Sequence, residues 1–410
     1  MFVHTTSMTT YGGGATLWGF YALGGFGTTS LGSSTAGTRD GASTGHGYIS
    51  SEGFFYIFKK KYEYMVLRAL DLFSGIGGIT HGLREIVEPI AFVEKNDEAR
   101  SFLKKKYPEI PVFDDVCSFD ATKWIDKVDI ILAGWPCTGF SNAGTKTGFS
   151  HEASGLFTEV IRMVKECRPK YVFLENSHTL SLFENVNVVV KAFDELGYDC
   201  RWITCRATCV GALHQRHRWF CLVVRRDIEL DIDIPYVERF DWMTNEPPRQ
   251  IQKSNKDNIL HISLAGNAVV PDQVRYAMDI LCSFDTNKEF SLSSHVKNGF
   301  SKNGVIFTYD IEHPAREPLN IVLTPRENET SFVISCDPKK VLTKSVIQKF
   351  WPTPLHSCKY ATKCPRTLTT RVSKMLSACV GFSEGGDKNG YLSAKWVLWL
   401  MGYDYKYMTS

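Results

Sequence analysis

The sequence has no apolar run of the roughly 20 residues that a membrane-spanning helix needs, so no membrane partner is expected. It does not open with a charged stretch, an apolar stretch and a cleavage site, so no secretory signal is read. It has little net charge: +3 over 410 residues does not by itself announce a nucleic-acid binder, although a local basic surface remains compatible with it. It has no internal repeat, which sets aside solenoids and propellers. It also lacks paired C-x2-C spacings. Cys200, Cys205 and Cys209 stand as C-x4-C-x3-C without an evident fourth ligand, so they read as buried thiols in a strand and its loop, and no metal is expected. With 12 cysteines and no secretory signal, reduced thiols in an intracellular compartment are the simplest account.

What is present begins unevenly. Residues 1–64 are rich in Gly, Ser and Thr with few charges, and are expected to be a disordered extension because they bury too little to offset backbone entropy. Met65, directly before "VLRALDLFSG", is a candidate natural start. From there short apolar runs ("VLRALDL", "PIAFVE", "PVFDDV", "KVDIILAGW", "KYVFLEN") alternate with stretches of helical spacing ("GITHGLREIV", "NDEARSFLKKKY", "SGLFTEVIRMVKEC", "LFENVNVVVKAFDELG"), and "CRWITCRA" and "RWFCLVVRR" close the series. This alternation predicts parallel strands and a doubly wound, Rossmann-like α/β sheet. Residues 227–260 read as a linker. "LAGNAVVPDQVRYAMDIL" reads as a turn and a helix, and short strand-like pieces follow ("GVIFTYD", "NIVLT", "SFVIS").

Ligands of such sheets bind at the carboxyl ends of the strands, and chemistry-bearing residues collect there. "DLFSGIGG" (71–78) is a glycine loop after the first strand; it has neither the P-loop pattern nor the dinucleotide G-x-G-x-x-G. Glu94 ends the second strand, where an acid can meet ribose hydroxyls, and Asp115 ends the third. A nucleoside-bearing cofactor without a demanding phosphate fits. Then come "GWPCTGFS" (134–141), "FLEN" (173–176) and "GALHQRHRWF" (211–220): a thiol, a carboxylate and two arginines at successive strand ends.

These motifs together resemble the DNA (cytosine-5)-methyltransferase family. "DLFSGIGG" is similar to its S-adenosylmethionine-binding motif, "GWPCTGFS" to its Pro-Cys nucleophile motif, and "LEN" to the start of Glu-Asn-Val. "QRHR" is similar to its arginine motif, and "GNAVVP" (266–271) to its terminal motif; the resemblance covers about 65–282 and 364–405. It implies a catalytic set of Cys137, Glu175, Arg216 and Arg218. It implies an S-adenosyl-L-methionine site made by Phe73, Ser74, Gly75, Gly77, Gly78, Glu94, Asp115, Pro136 and Asn267. Methyl transfer to carbon 5 of a flipped cytosine through a Cys137 adduct follows from it.

The resemblance also implies a division into a catalytic domain (65–284), a smaller, mostly β target-recognition region (285–362) and a C-terminal segment (363–410) bracing the two, with Trp396, Trp399 and Tyr403 near the hinge. The chain departs from the family in three places: Ser177 follows "LEN", His214 stands where the arginine motif has glutamine, and "GNAVVP" precedes the variable region instead of ending the chain. The expected substrate is double-stranded DNA, with the enzyme acting as a monomer and with a cognate restriction endonuclease as a candidate partner. The expected location is intracellular, in the cytoplasm of a bacterial or virus-infected cell or in a nucleus. A transfer-RNA methyltransferase of the same family is disfavoured by the length of 285–360. A non-catalytic relative is disfavoured by the intact Cys137, Glu175 and Arg218, and a Rossmann oxidoreductase by the glycine spacing and the Pro-Cys motif.

Overall fold

In the computed structural model the described residues are 66–136, 156–286, 297–308, 311–314, 321–325, 332–335, 346–348, 350–355, 358, 376 and 391–409. All belong to the unit Glu63–Ser410. The low-complexity extension at 1–64 and Met65 lie outside them, and so does Cys137.

The elements run β1 (Leu67–Leu72), α1 (Gly78–Gly82), β2 (Val87–Val93), α2 (Asp97–Lys106), β3 (Val112–Phe113), β4 (Ile130–Ala133), α3 (Leu156–Cys167), β5 (Tyr171–Ser177), α4 (Phe183–Asp194), β6 (Tyr198–Cys205) and β7 (Arg218–Arg225). After these come β8 (Gln250–Ile251), α5 (Lys256–Asn267), α6 (Pro271–Cys282), β9 (Gly299–Lys302) and β10 (Val305–Thr308). The last are β11 (Ile321–Pro325), β12 (Phe332–Ser335), β13 (Val346–Gln348), β14 (Tyr391–Leu392), α7 (Ala394–Leu400) and α8 (Lys406–Thr409). Among the described residues no helix is long and apolar enough to cross a membrane.

One nine-stranded sheet has the order β10-β9-β6-β7-β5-β4-β1-β2-β3. Its strands are apolar on both faces because helices cover both. Val172 and Leu174 of β5 enter a core with α3 and α4, while Phe173 enters the opposite core with α5, α6 and α7. In α3 the buried residues Phe157, Val160, Met163, Val164 and Cys167 recur at helical spacing. Each large apolar side chain so buried contributes about 1.5–3 kcal/mol. Cys200 and Cys205 point into opposite cores, so they cannot share an ion.

The sheet is doubly wound as expected, but it is not all parallel. Strands β3, β2, β1, β4 and β5 are parallel, whereas β7 runs antiparallel to both β5 and β6. A parallel neighbour needs a crossover helix. Between Cys205 and Arg218 there is only a short 3-10 turn at Ala207–Val210, so the chain returns directly. Three further expectations are corrected. The helix after the glycine loop stops at Gly82, because Leu83, Ile86 and Val87 turn into the core and Leu67 N–H binds Ile86 O. The supposed linker contains the start of α5, capped by Asn255, whose side chain accepts from Asn258 N–H, with Asp257 in the first turn. Strands β9 and β10 extend the main sheet beside β6, although their residues fall in the 285–362 region. Within that region β11, β12 and β13 form a separate antiparallel sheet.

Candidate active site

The chain leaves β1 into tight backbone. Phe73 has φ +56° and Gly75 φ +56°, both left-handed. At Gly75 nothing lies within 4 Å of where a Cβ would be, so its backbone faces open space. Below the loop, buried Asp71 accepts a 2.6 Å hydrogen bond from Thr80 Oγ1, and Ser74 Oγ donates to Asp71 O at 2.7 Å. Burial pushes the Asp71 carboxyl up to about 7. Gly78 is needed for packing: a Cβ there would meet Tyr403 Oη at 2.6 Å and Val269 Cγ2 at 2.8 Å.

A cavity of about 710 Å³ opens above this loop. At one end stands Glu94, just past β2. Its Oε2 accepts from Gly75 N–H and its Oε1 from Asn96 N–H, each at 2.7 Å. Each carboxylate oxygen keeps a second lone pair for a ligand hydroxyl. Asp115 lines the same end. Its carboxyl is held below the usual range by Cys117 N–H and then by the Lys95 ammonium.

At the other end Pro136 and Glu175 meet. Asn176 Nδ2 donates to Trp135 O at 3.1 Å, which fastens the backbone before Pro136 to β5. A Cβ on Gly134 would lie 3.3 Å from Glu175 Oε2, so the carboxylate sits over the end of β4. Arg218, at the start of the antiparallel β7, places its Nε 2.8 Å from Glu175 Oε1. Asn267, at the end of α5, lines the cavity between the two ends.

Arg216 also borders the cavity, but its guanidinium donates to the carbonyls of Gly266, Ala268 and Pro354. It fixes the "GNAVVP" turn against β7. His214 is fully buried with Nε2 3.0 Å from Leu400 O, and burial pushes it down to about 3, which keeps it neutral.

Three tertiary contacts support the site from behind. Gln273 Nε2 donates to Cys205 O at 3.0 Å and to Arg216 O at 2.9 Å, closing the β6–β7 return onto α6. Tyr403 Oη donates to Val269 O at 2.9 Å, and Tyr407 Oη to Ile76 O at 2.6 Å. Tyr403 therefore lies beneath the glycine loop. Trp396 and Trp399 donate from their indoles to Glu246 Oε1 and Thr244 O, on the segment before β8.

The structure thus brings Phe73, Gly75, Glu94, Asp115, Pro136, Glu175, Arg216, Arg218 and Asn267 around one cavity. Ser74, Gly77 and Gly78 support it from the loop.

Residues 67–371 match the family model of the C-5 cytosine-specific DNA methylase. The chain is 43% identical over 364 residues to Type II methyltransferase M.CviJI of Paramecium bursaria Chlorella virus IL3A, covering 84% of this chain and 98% of that protein. It is 32% identical over 165 residues to Type II methyltransferase M.BsuFI of Bacillus subtilis, covering 39% of this chain and 40% of that one. Among solved structures, a Spodoptera frugiperda DNMT2 mutant is 25% identical over 40% of this chain and 51% of its own, with a TM-score of 0.33.

Proposed function

The chain belongs to the C-5 cytosine-specific DNA methylase family, and from that premise we propose a mechanism in which Cys137 and Glu175 act together on a flipped cytosine. It is a type II C-5 cytosine DNA methyltransferase. The observation that carries the mechanism is the single cavity joining Glu94 and Asp115 to Pro136, Glu175 and Arg218.

The acidic end fits the adenosyl half of S-adenosyl-L-methionine. Glu94 has acceptor capacity for two ribose hydroxyls, Asp115 accepts from the adenine amino group, and the bare backbone at Gly75 admits close approach. Phe73, Asn267 and Pro136 complete the walls. When bound, the cofactor supplies an electrophilic methyl group.

A base in a duplex cannot enter such a cavity, so the cytosine is flipped out at a cost of a few kcal/mol. Cys137, directly after Pro136, adds its sulfur to carbon 6. This makes carbon 5 nucleophilic and splits one hard step into easier ones. Glu175 holds a proton at ring N3, and Arg218 orients Glu175 and provides positive charge beside the thiolate. Once carbon 5 carries the methyl group, loss of its proton breaks the bond between carbon 6 and Cys137, the N3 proton returns to Glu175, and the ring is restored. Arg216 acts by holding the 266–268 turn. Within residues 285–362 the β11–β13 sheet carries target recognition, the enzyme acts as a monomer on double-stranded DNA, and a cognate restriction endonuclease is the candidate partner.

The test uses duplexes carrying 5-fluorocytosine, whose fluorine cannot leave as a proton does. The wild type forms a denaturation-resistant adduct and Cys137→Ser does not. An adduct in the variant overturns the assignment, and labelled-methyl transfer to RNA but not to DNA overturns the substrate.

A further inference from the structure

Beyond the last ladder pairs at the carboxyl ends of β5 and β6, three neighbouring strands each contribute one more residue to a row. The ladders end at Ser177–Arg218 and Cys205–Arg218. The next residues are His178, His217 and Arg206. The rings of His178 and His217 stack with centroids 4.6 Å apart and planes 14° apart. Thr204 N–H donates to Asn298 Oδ1 at 2.9 Å, which brings Lys297 to the outer end of the row. Arg206 and Lys297 are exposed, while the two histidines are half-buried.

The charge around this row has one sign. Burial pushes His217 down to about 3, followed by His178, Arg206, Lys297 and Arg218. Burial lowers His178 too, followed by Arg218 and Arg206. Both rings are therefore neutral, and each carries one N–H donor. Arg162, Arg225, Arg226 and Arg249 all pair with carboxylates. Among the described residues Arg206 and Lys297 form no such pair. Two cations without a carboxylate partner among the described residues and two neutral donors, next in sequence to Ser177 and Arg218, make a seat for an anion near the Glu175–Arg218 pair.

We propose that Arg206, Lys297, His178 and His217 hold a backbone phosphate of the DNA strand next to the flipped cytosine. The proposal rests on the reading of the chain as a DNA methyltransferase. A seat of this kind reads no base edge; it sets the register of the strand so that the base arrives at Glu175. Its signature is electrostatic and independent of sequence.

The experiment compares wild type with Arg206→Ala/Lys297→Ala by fluorescence anisotropy, on a cognate and a scrambled duplex, between 50 and 200 mM KCl. Each neutralised phosphate contributes about 0.9 to the slope of log K against log salt, so losing this one seat lowers it by about 0.9. Affinity should fall by a similar factor on both duplexes. S-adenosyl-L-methionine binding, measured by calorimetry, should be unchanged, which shows that the variant is folded. Arg206→Glu alone should weaken DNA binding as well. An unchanged slope in the double variant with cofactor binding intact overturns the seat. A wild type that binds no duplex at all overturns the functional reading instead, and the wild-type titration tells the two failures apart.

Discussion

Arg218 Nε lies 2.8 Å from Glu175 Oε1 across the antiparallel pair β7–β5, and the two side chains are only 23% and 12% exposed. The ion pair aims the carboxylate into the cavity. Glu175→Gln keeps the shape but cannot hold a proton for ring N3. Turnover should fall about 10²-fold or more, the usual scale for general acid catalysis, with cofactor affinity unchanged. Arg218→Ala should lose turnover and stability together, because it leaves a part-buried carboxylate unpaired. Near-normal kcat in Glu175→Gln would remove Glu175 from the mechanism.

Glu94 ties the glycine loop to the strand beside it through Gly75 N–H and Asn96 N–H. Glu94→Ala should weaken cofactor binding by about 1.5–3 kcal/mol, the value of a charge-assisted hydrogen bond. Calorimetry with an unchanged Kd would place the ribose elsewhere.

Tyr407→Phe deletes only the hydroxyl that donates to Ile76 O. The expected cost is about 1 kcal/mol of stability and a measurable loss of cofactor affinity. Gly78→Ala should cost more, about 1–3 kcal/mol, because its Cβ would overlap Tyr403 Oη and Val269. Thermal melts of both variants that match wild type would contradict this account of the loop.

Asp71 titrates within reach of working pH. Its folded carboxyl is raised to about 7 by burial, so its stabilising contribution is full below pH ~4 and is lost as pH climbs toward 7. Glu94 adds to the rise, while Thr80 and Ser74 oppose it. Asp71→Asn still accepts from Thr80 but never ionises. Its stability relative to wild type should therefore increase between pH 4 and pH 8, by up to about 4 kcal/mol from three units at about 1.36 each. A difference that stays constant across that range would show that Asp71 is not the titrating group.

The parallel half of the sheet was legible because its strands are continuous apolar runs separated by helix-length segments, as at "IILA" in β4. The reversal at β7 had a signal that went unused: no helical spacing separates Cys205 from Arg218. The start of α5 had one too, Asn255 with an acid two residues later, hidden by the polar composition around it. Glu94, Asp115, Glu175 and Arg218 were readable because each lies within two residues of a strand end at the same rim. Arg216 was placed at the correct wall, but only the folded turn shows its guanidinium on carbonyls. Tyr407 and Gln273, and the partner of Tyr403, were beyond sequence reasoning, since these contacts are set by tertiary packing and carry no local pattern. Cys137 lies outside the described residues, so its role rests on its motif.

The bond from Tyr407 to Ile76 spans 331 residues, and this has a consequence for biosynthesis. A ribosome adds about 5–20 residues per second, so roughly 15 seconds to a minute passes between the emergence of the glycine loop and that of its latch. During that interval Glu94 and Asp115 can form with their strands while the loop between them has no support from below. A nascent chain halted before residue 394 would therefore carry the nucleophile motif and most of the main sheet and yet hold cofactor poorly. Competence to modify DNA comes late in translation, when the last aromatic residues dock.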